Sequence, residues 1–141
     1  MSLFICIQAI VAEPMILVPP TLEIDLTNQR LVFYQKGTPI VDTPIVSGNP
    51  DIEGCGTPTG CYALDAKESP AVLTGEDYEA NVTYWMPFAG NVGIHDASWR
   101  SEFGGNLYLW EGSHGCVNVP YDKAAEIYAN IEVGMPVVVY D

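Results

Sequence analysis

Strict alternation marks the first element of the chain. In Thr21-Leu22-Glu23-Ile24-Asp25-Leu26 every second position is apolar, the period of a strand with one buried face. Thr27-Asn28-Gln29 has turn chemistry, and Leu31-Val32-Phe33-Tyr34-Gln35 reads as the returning strand, closed by Lys36-Gly37. A third strand is expected near 40–47, followed by a Gly-, Pro-, Asn- and Asp-rich loop over 48–60. Further strands are predicted at 61–67, at 82–88 (aromatic, broken by Pro87), at 92–95 after a Gly90-Asn91 turn, and at 137–140. Residues 99–110, aromatic and glycine-containing, read as a loop or lid. Helical periodicity is convincing once, after Pro120, where Ala124, Ile127, Tyr128 and Ile131 share one face. Proline before this run and Asp122 early in it suit a helix start, and Gly134 and Pro136 suit its end. The pattern is that of a mainly β domain with one notable helix.

Length and composition sharpen this only slightly. A chain of 141 residues is one domain by size and buries roughly two-thirds of its unfolded surface without help from metal or disulfide. The net charge of −13, from 5 basic and 18 acidic residues, repels phosphate backbones and anionic bilayers. Nucleic acid is therefore not an expected partner, and no membrane segment is expected in the domain. Residues 1–18 carry the apolar run Leu3-Phe4-Ile5-Cys6-Ile7-Gln8-Ala9-Ile10-Val11-Ala12 with no Lys or Arg before it. This stretch reads as a signal or anchor remnant or as an extra N-terminal strand, and residues 19–141 as the domain proper. Cys55 and Cys61 have five residues between them and are expected to bridge across a tight turn in an oxidising compartment.

The chemistry concentrates on Cys116. The chain has two histidines, His95 and His114, and the string Ser113-His114-Gly115-Cys116-Val117-Asn118 stands directly before the helix. An unperturbed thiol is only a few per cent thiolate near pH 7, and an imidazole partner is the simplest way to make it a nucleophile. His114 is too close in sequence to meet the sulfur comfortably, so His95, arriving from a separate strand, is the preferred base. Such a base contributes roughly 10²–10⁴ in rate. Gly115 lets backbone amides around it and Cys116 approach a reacting carbonyl as oxyanion donors. Asp96 follows His95 and is placed to orient it, through side chain or backbone. Zinc on His95, His114 and Cys116 would consume the nucleophile, so neither metal nor cofactor is expected.

His95, a gap of seventeen residues, and then Ser113-His114-Gly115-Cys116-Val117-Asn118 resembles the signature of the L,D-transpeptidase catalytic domain. Thr57-Pro58-Thr59-Gly60 is similar to that family's TPxG turn, and Ile94-His95-Asp96-Ala97-Ser98-Trp99 to the segment carrying its base. Glu23-Ile24-Asp25-Leu26 with Gln29 and Leu31 looks like its opening hairpin. The resemblance implies a β-sandwich of mixed, mostly antiparallel strands with a helix after the cysteine motif. It implies that Cys116 attacks a peptidoglycan stem tetrapeptide at its third residue, releasing D-alanine and forming a thioester. A diamino-acid amine of a second stem then resolves the thioester into a 3→3 cross-link. It assigns His95 as base, oriented by the residue 96 carbonyl, and His114, Gly115 and Cys116 to the oxyanion region. Ser113, Asn118, Trp99, Gly90 and Asn91 would shape the substrate pocket. Carbapenems are expected to acylate the cysteine, and the place of action is expected outside the cytoplasmic membrane, at the cell wall.

Two other readings share these residues. Water as acceptor makes the same acyl-enzyme an L,D-carboxypeptidase. A non-catalytic module would bind cell wall or metal through His95, His114 and Cys116. A papain-like protease is disfavoured, because there the cysteine precedes the histidine.

Overall fold

The alternating segment forms β1 (Thr21–Asp25), which pairs antiparallel with β2 (Arg30–Gln35), and β2 pairs in turn with β3 (Thr38–Pro44). This is a computed structural model, and it describes residues 18–141. The reading of residues 1–18 as a leader or extra strand falls, all but its last residue, outside the described residues. On the other side of β1 lies β10 (Pro136–Tyr140), parallel, with Leu22 opposite Val137 and Ile24 opposite Val139. β4 (Gly60–Ala63) completes a five-stranded sheet of order β3-β2-β1-β10-β4.

A second, three-stranded sheet joins β7 (Trp85–Ala89), β8 (Val92–Asp96) and β9 (Val117–Val119); β7–β8 is antiparallel and β8–β9 parallel. A hairpin of β5 (Ala71–Thr74) and β6 (Glu79–Val82) stands apart as a two-stranded unit. The helices are a single turn, α1 (Tyr108–Glu111), and the predicted helix, α2 (Tyr121–Asn130).

Period-two burial explains the packing. Leu22, Ile24, Leu31, Phe33, Val137 and Val139 leave the large sheet on one face, and Met86, Phe88, Ile94, Val117 and Val119 meet them from the other. Ala124 and Ile127 of α2, with Ile131 at its end, close the same core. The result is the expected mainly β sandwich with mixed, mostly antiparallel pairing. Lys67 reaches the end of α2, where its ammonium donates to the Ile131 carbonyl at 2.9 Å and sits 4.5 Å over the Tyr128 ring.

Three elements differ from the pattern-based reading. The strand expected at 61–67 is only Gly60–Ala63. The strand expected at 82–88 is two strands, parted at Thr83 and Tyr84, whose N–H groups donate to the Asp96 carboxylate at 2.7–3.1 Å. Pro87 does not break β7: it faces Gly93 beside a register shift, where a bulge accommodates its missing N–H.

The expected Cys55–Cys61 bridge is corrected. Cys55 is a free thiol, whereas Cys61 is disulfide-bonded. Cys61 is held on β4 opposite Val138 of β10. Cys55 closes a turn onto the Ile52 carbonyl at 3.0 Å, and its own carbonyl packs against Gly48. Short sequence separation is thus overridden by two elements that fix the residues separately.

Candidate active site

The parallel β8–β9 pair builds the site. Ile94 pairs with Val117 and His95 with Asn118. Ile94 and Val117 are fully buried in the core, so alternation sends His95, Cys116 and Asn118 to the opposite face. There they line one cavity of about 720 Å³ with Asn91, Trp99, Ser113 and His114. Of the residues the sequence singled out, Asp96, Gly90 and Gly115 stay out of that wall. Gly90 makes the β7–β8 turn at φ +61.

His95 is 5% exposed, and its Nδ1 lies 2.7 Å from the Asp96 carbonyl oxygen. A carbonyl only accepts, so Nδ1 carries the hydrogen and Nε2 keeps the lone pair. The Asp96 carboxylate is turned away, capping Thr83 and Tyr84. Of the two routes by which Asp96 might orient the imidazole, the backbone is the one used. Burial pushes the His95 pKa below the ordinary 6.5, against the opposing pull of the Asp96 carbonyl and carboxylate, while the Arg100 charge adds to the lowering. The ring is therefore neutral at pH 7 and equipped to accept a proton.

Cys116 directs its sulfur toward the Asn91 carbonyl at 3.5 Å. Burial pushes the thiol up from its ordinary range, partly countered by the Gly93 backbone amide. Burial thus favours the neutral form of both the thiol and the imidazole.

The loop before Cys116 is held from below. Ser113 N–H donates to the Ser47 carbonyl at 3.1 Å, and Ser113 Oγ donates to the Cys116 carbonyl at 2.5 Å. The Gly115 N–H donates to Ser113 Oγ at 3.1 Å. Gly115 is thereby unavailable as an oxyanion donor. Among the described residues, the amides of His114 and Cys116 carry no such bond. Gly115 has φ +130, a conformation that disfavours any side chain.

Thr57, buried, links this loop to its support. Its hydroxyl donates to the Gly115 carbonyl at 2.7 Å and accepts from the Gly48 N–H at 2.9 Å. A Cβ on Gly48 would fall 1.7 Å from the Cys55 carbonyl oxygen, so only glycine fits there. Gln29 fixes the layer below, with Nε2 2.8 Å from Ser47 Oγ and Oε1 3.0 Å from Ser47 N.

The β5–β6 hairpin, unread in the sequence, roofs the cavity. Tyr78 stacks on His114, with centroids 4.7 Å apart and planes at 11°. The stack holds the His114 ring against the hairpin. Burial first, then the charges of Cys116 and Cys55, raises the Tyr78 phenol pKa. Trp85 and Arg100 also line the cavity and were not singled out. The available signal was Gly75 in a polar run between two short β-prone segments. Among the described residues, no group of three or more His, Cys, Asp or Glu is gathered as a metal requires.

A thiol and a tautomer-fixed imidazole share one cavity of a β-sandwich, beneath a hairpin and with free amides beside the thiol. The chain belongs to the L,D-transpeptidase catalytic-domain family: the profile of that domain (YkuD) matches residues 19–139. No curated protein matches the chain at a significant level. Among solved structures, a Cys-to-Ser mutant of the Enterococcus faecium L,D-transpeptidase is 40% identical with a TM-score of 0.81. That match covers 86% of this chain and 50% of that one. The catalytic domain of the E. faecium enzyme acylated by ertapenem is 41% identical with a TM-score of 0.77, covering 86% and 97%. The Ldtfm–avibactam carbamoyl enzyme is 40% identical with a TM-score of 0.82, covering 87% and 49%. The chain spans about half the length of the longer relatives. No helix among the described residues is long and apolar enough to cross a membrane.

Proposed function

We propose that this chain is a peptidoglycan L,D-transpeptidase that forms 3→3 cross-links through a Cys116 thioester and releases D-alanine. The observation that carries this reading is His95, locked by the Asp96 carbonyl with Nε2 left as acceptor, on the same sheet face and in the same cavity as Cys116.

His95 Nε2 takes the thiol proton as Sγ attacks the carbonyl of the donor's third residue. The His114 and Cys116 amides hold the oxyanion, each worth about 3 kcal/mol in comparable sites. On collapse the C–N bond breaks, His95 gives its proton to the departing amine, and the thioester remains. An acceptor amine then attacks, passing its proton to His95, which returns it to the sulfur as thiolate leaves. Ser113 holds the loop's shape, and Asn118, Asn91 and Trp99 border the substrate. Carbapenems would acylate Cys116 by the first half of this sequence, as ertapenem does in the E. faecium domain. The substrate places the reaction outside the cytoplasmic membrane.

The test is mass spectrometry of products from a disaccharide-tetrapeptide, beside a Cys116→Ala control. A cross-linked dimer with loss of D-alanine, absent in the control, is the expected result. Tripeptide without dimer would make the enzyme an L,D-carboxypeptidase. No turnover and no Cys116 adduct would overturn the enzymatic reading.

A further inference from the structure

Two buried polar atoms in the cavity walls lack a protein partner: Nε of Arg100 and Oδ1 of Asn118. Buried polar groups are normally satisfied, and a half-buried guanidinium is normally paired. Among the described residues, the Arg100 side chain makes no hydrogen bond and no ion pair; its backbone N–H alone is engaged, with the Ala97 carbonyl at 3.1 Å. Burial lowers the guanidinium's pKa, opposed by the charge of Glu111. Arg100 is also the one Lys or Arg among the described residues lining the catalytic cavity, and it borders a second cavity of about 430 Å³. A forked, partly desolvated cation open to a cavity has the geometry and charge to bind a carboxylate.

We propose that Arg100 is a specificity residue that takes the terminal carboxylate of the donor's leaving residue. The inference rests on the transpeptidase reading and names what that reading leaves open. Its geometry follows from the proton. The leaving nitrogen must reach His95 to be protonated, and the carboxylate of the same residue is two bonds away from that nitrogen. Arg100 lines the same cavity as His95, close enough for its charge to act on the ring. Binding the carboxylate cancels that charge at the moment His95 must take up the thiol proton. A donor extended by one more residue presents a neutral amide there and leaves the guanidinium unpaired, the arrangement that sites discriminate against most strongly. Asn118 Oδ1, an acceptor two residues from Cys116, suits a peptide N–H of the same donor.

The experiment compares two tetrapeptide donors, one ending in free D-alanine and one in its carboxamide, on wild type, Arg100→Gln and Arg100→Lys. The rate and half-saturation of Cys116 acylation are read by intact mass spectrometry. The free acid should be preferred at least about tenfold by wild type, the size of one charge-assisted hydrogen bond. That preference should fall to near unity in Arg100→Gln and return in part in Arg100→Lys. Equal use of both donors by wild type overturns the proposal without recourse to a variant, and so does an undiminished preference in Arg100→Gln. In parallel, iodoacetate and iodoacetamide are compared at Cys116 by peptide mapping, which separates it from the Cys55 thiol. Acylation by neither donor overturns the transpeptidase reading. The iodoacetate-to-iodoacetamide ratio then still decides the anion site: a fall in Arg100→Gln supports it, and no fall overturns it.

Discussion

At the scale of the residue, the site depends on two opposite shifts with one cause. Burial lowers the His95 pKa and raises that of Cys116, so both groups are neutral near pH 7. The base form of His95 therefore persists below the ordinary 6.5. The acid limb of kcat/KM is expected to have its midpoint under that value, while direct alkylation of Cys116 by iodoacetamide keeps rising above pH 9. An acid limb at or above the ordinary histidine value would contradict this assignment of the base. Thr57 tests the support beneath the nucleophile. Thr57→Val keeps the shape but leaves the Gly48 N–H and the Gly115 carbonyl without their bridge. A stability loss of about 1–3 kcal/mol in denaturant titration is expected, together with a lower kcat, and Thr57→Ser should recover most of both. His95, Cys116 and the TPxG threonine were legible in the sequence as types at a spacing. The position of Arg100 in the cavity wall was not, because what surrounds a side chain is set by the fold and not by its neighbours along the chain.

At the scale of the element, legibility followed burial of a single face. β1, β2 and α2 each keep one apolar side and were read close to their true bounds, whereas β8, buried on both faces, was read from the Gly90-Asn91 turn before it. The run 79–89 was not, because its division depends on the Asp96 carboxylate arriving from β8 to cap Thr83 and Tyr84. α1 is a single turn without a side-chain cap, too short to have a period. Cys55 and Cys61 show the converse error, where nearness along the chain says nothing about orientation. The predicted helix is a structural strut rather than a chemical one. Ile127→Ala should remove about 2–5 kcal/mol of stability by denaturant titration while leaving the wild-type rate of Cys116 alkylation in the folded state. A loss much below 1 kcal/mol would show that α2 does not close the core.

At the scale of the whole molecule, the chain carries a net charge of −13 and the cavity lining holds one guanidinium. A cationic acceptor amine is drawn toward such a surface, and salt screens that attraction over about 10 Å at 0.1 M. The half-saturation concentration of the acceptor is expected to rise several-fold between low and 0.5 M salt, while acylation by a neutral donor amide changes little. An acceptor value indifferent to salt would show that net charge has no part in recruitment.

The pairing of β1 with β10 has a consequence for the order of events during synthesis. Leu22 finds its parallel neighbour at Val137, so the large sheet joins strands that lie far apart along the chain. A ribosome makes the β1–β2 hairpin and the loop bearing Thr57 well before β10, the strand that joins β1 to β4. Contacts of such long range close slowly. The large sheet therefore stays open until β10 enters between β1 and β4, and the core face of the domain closes late.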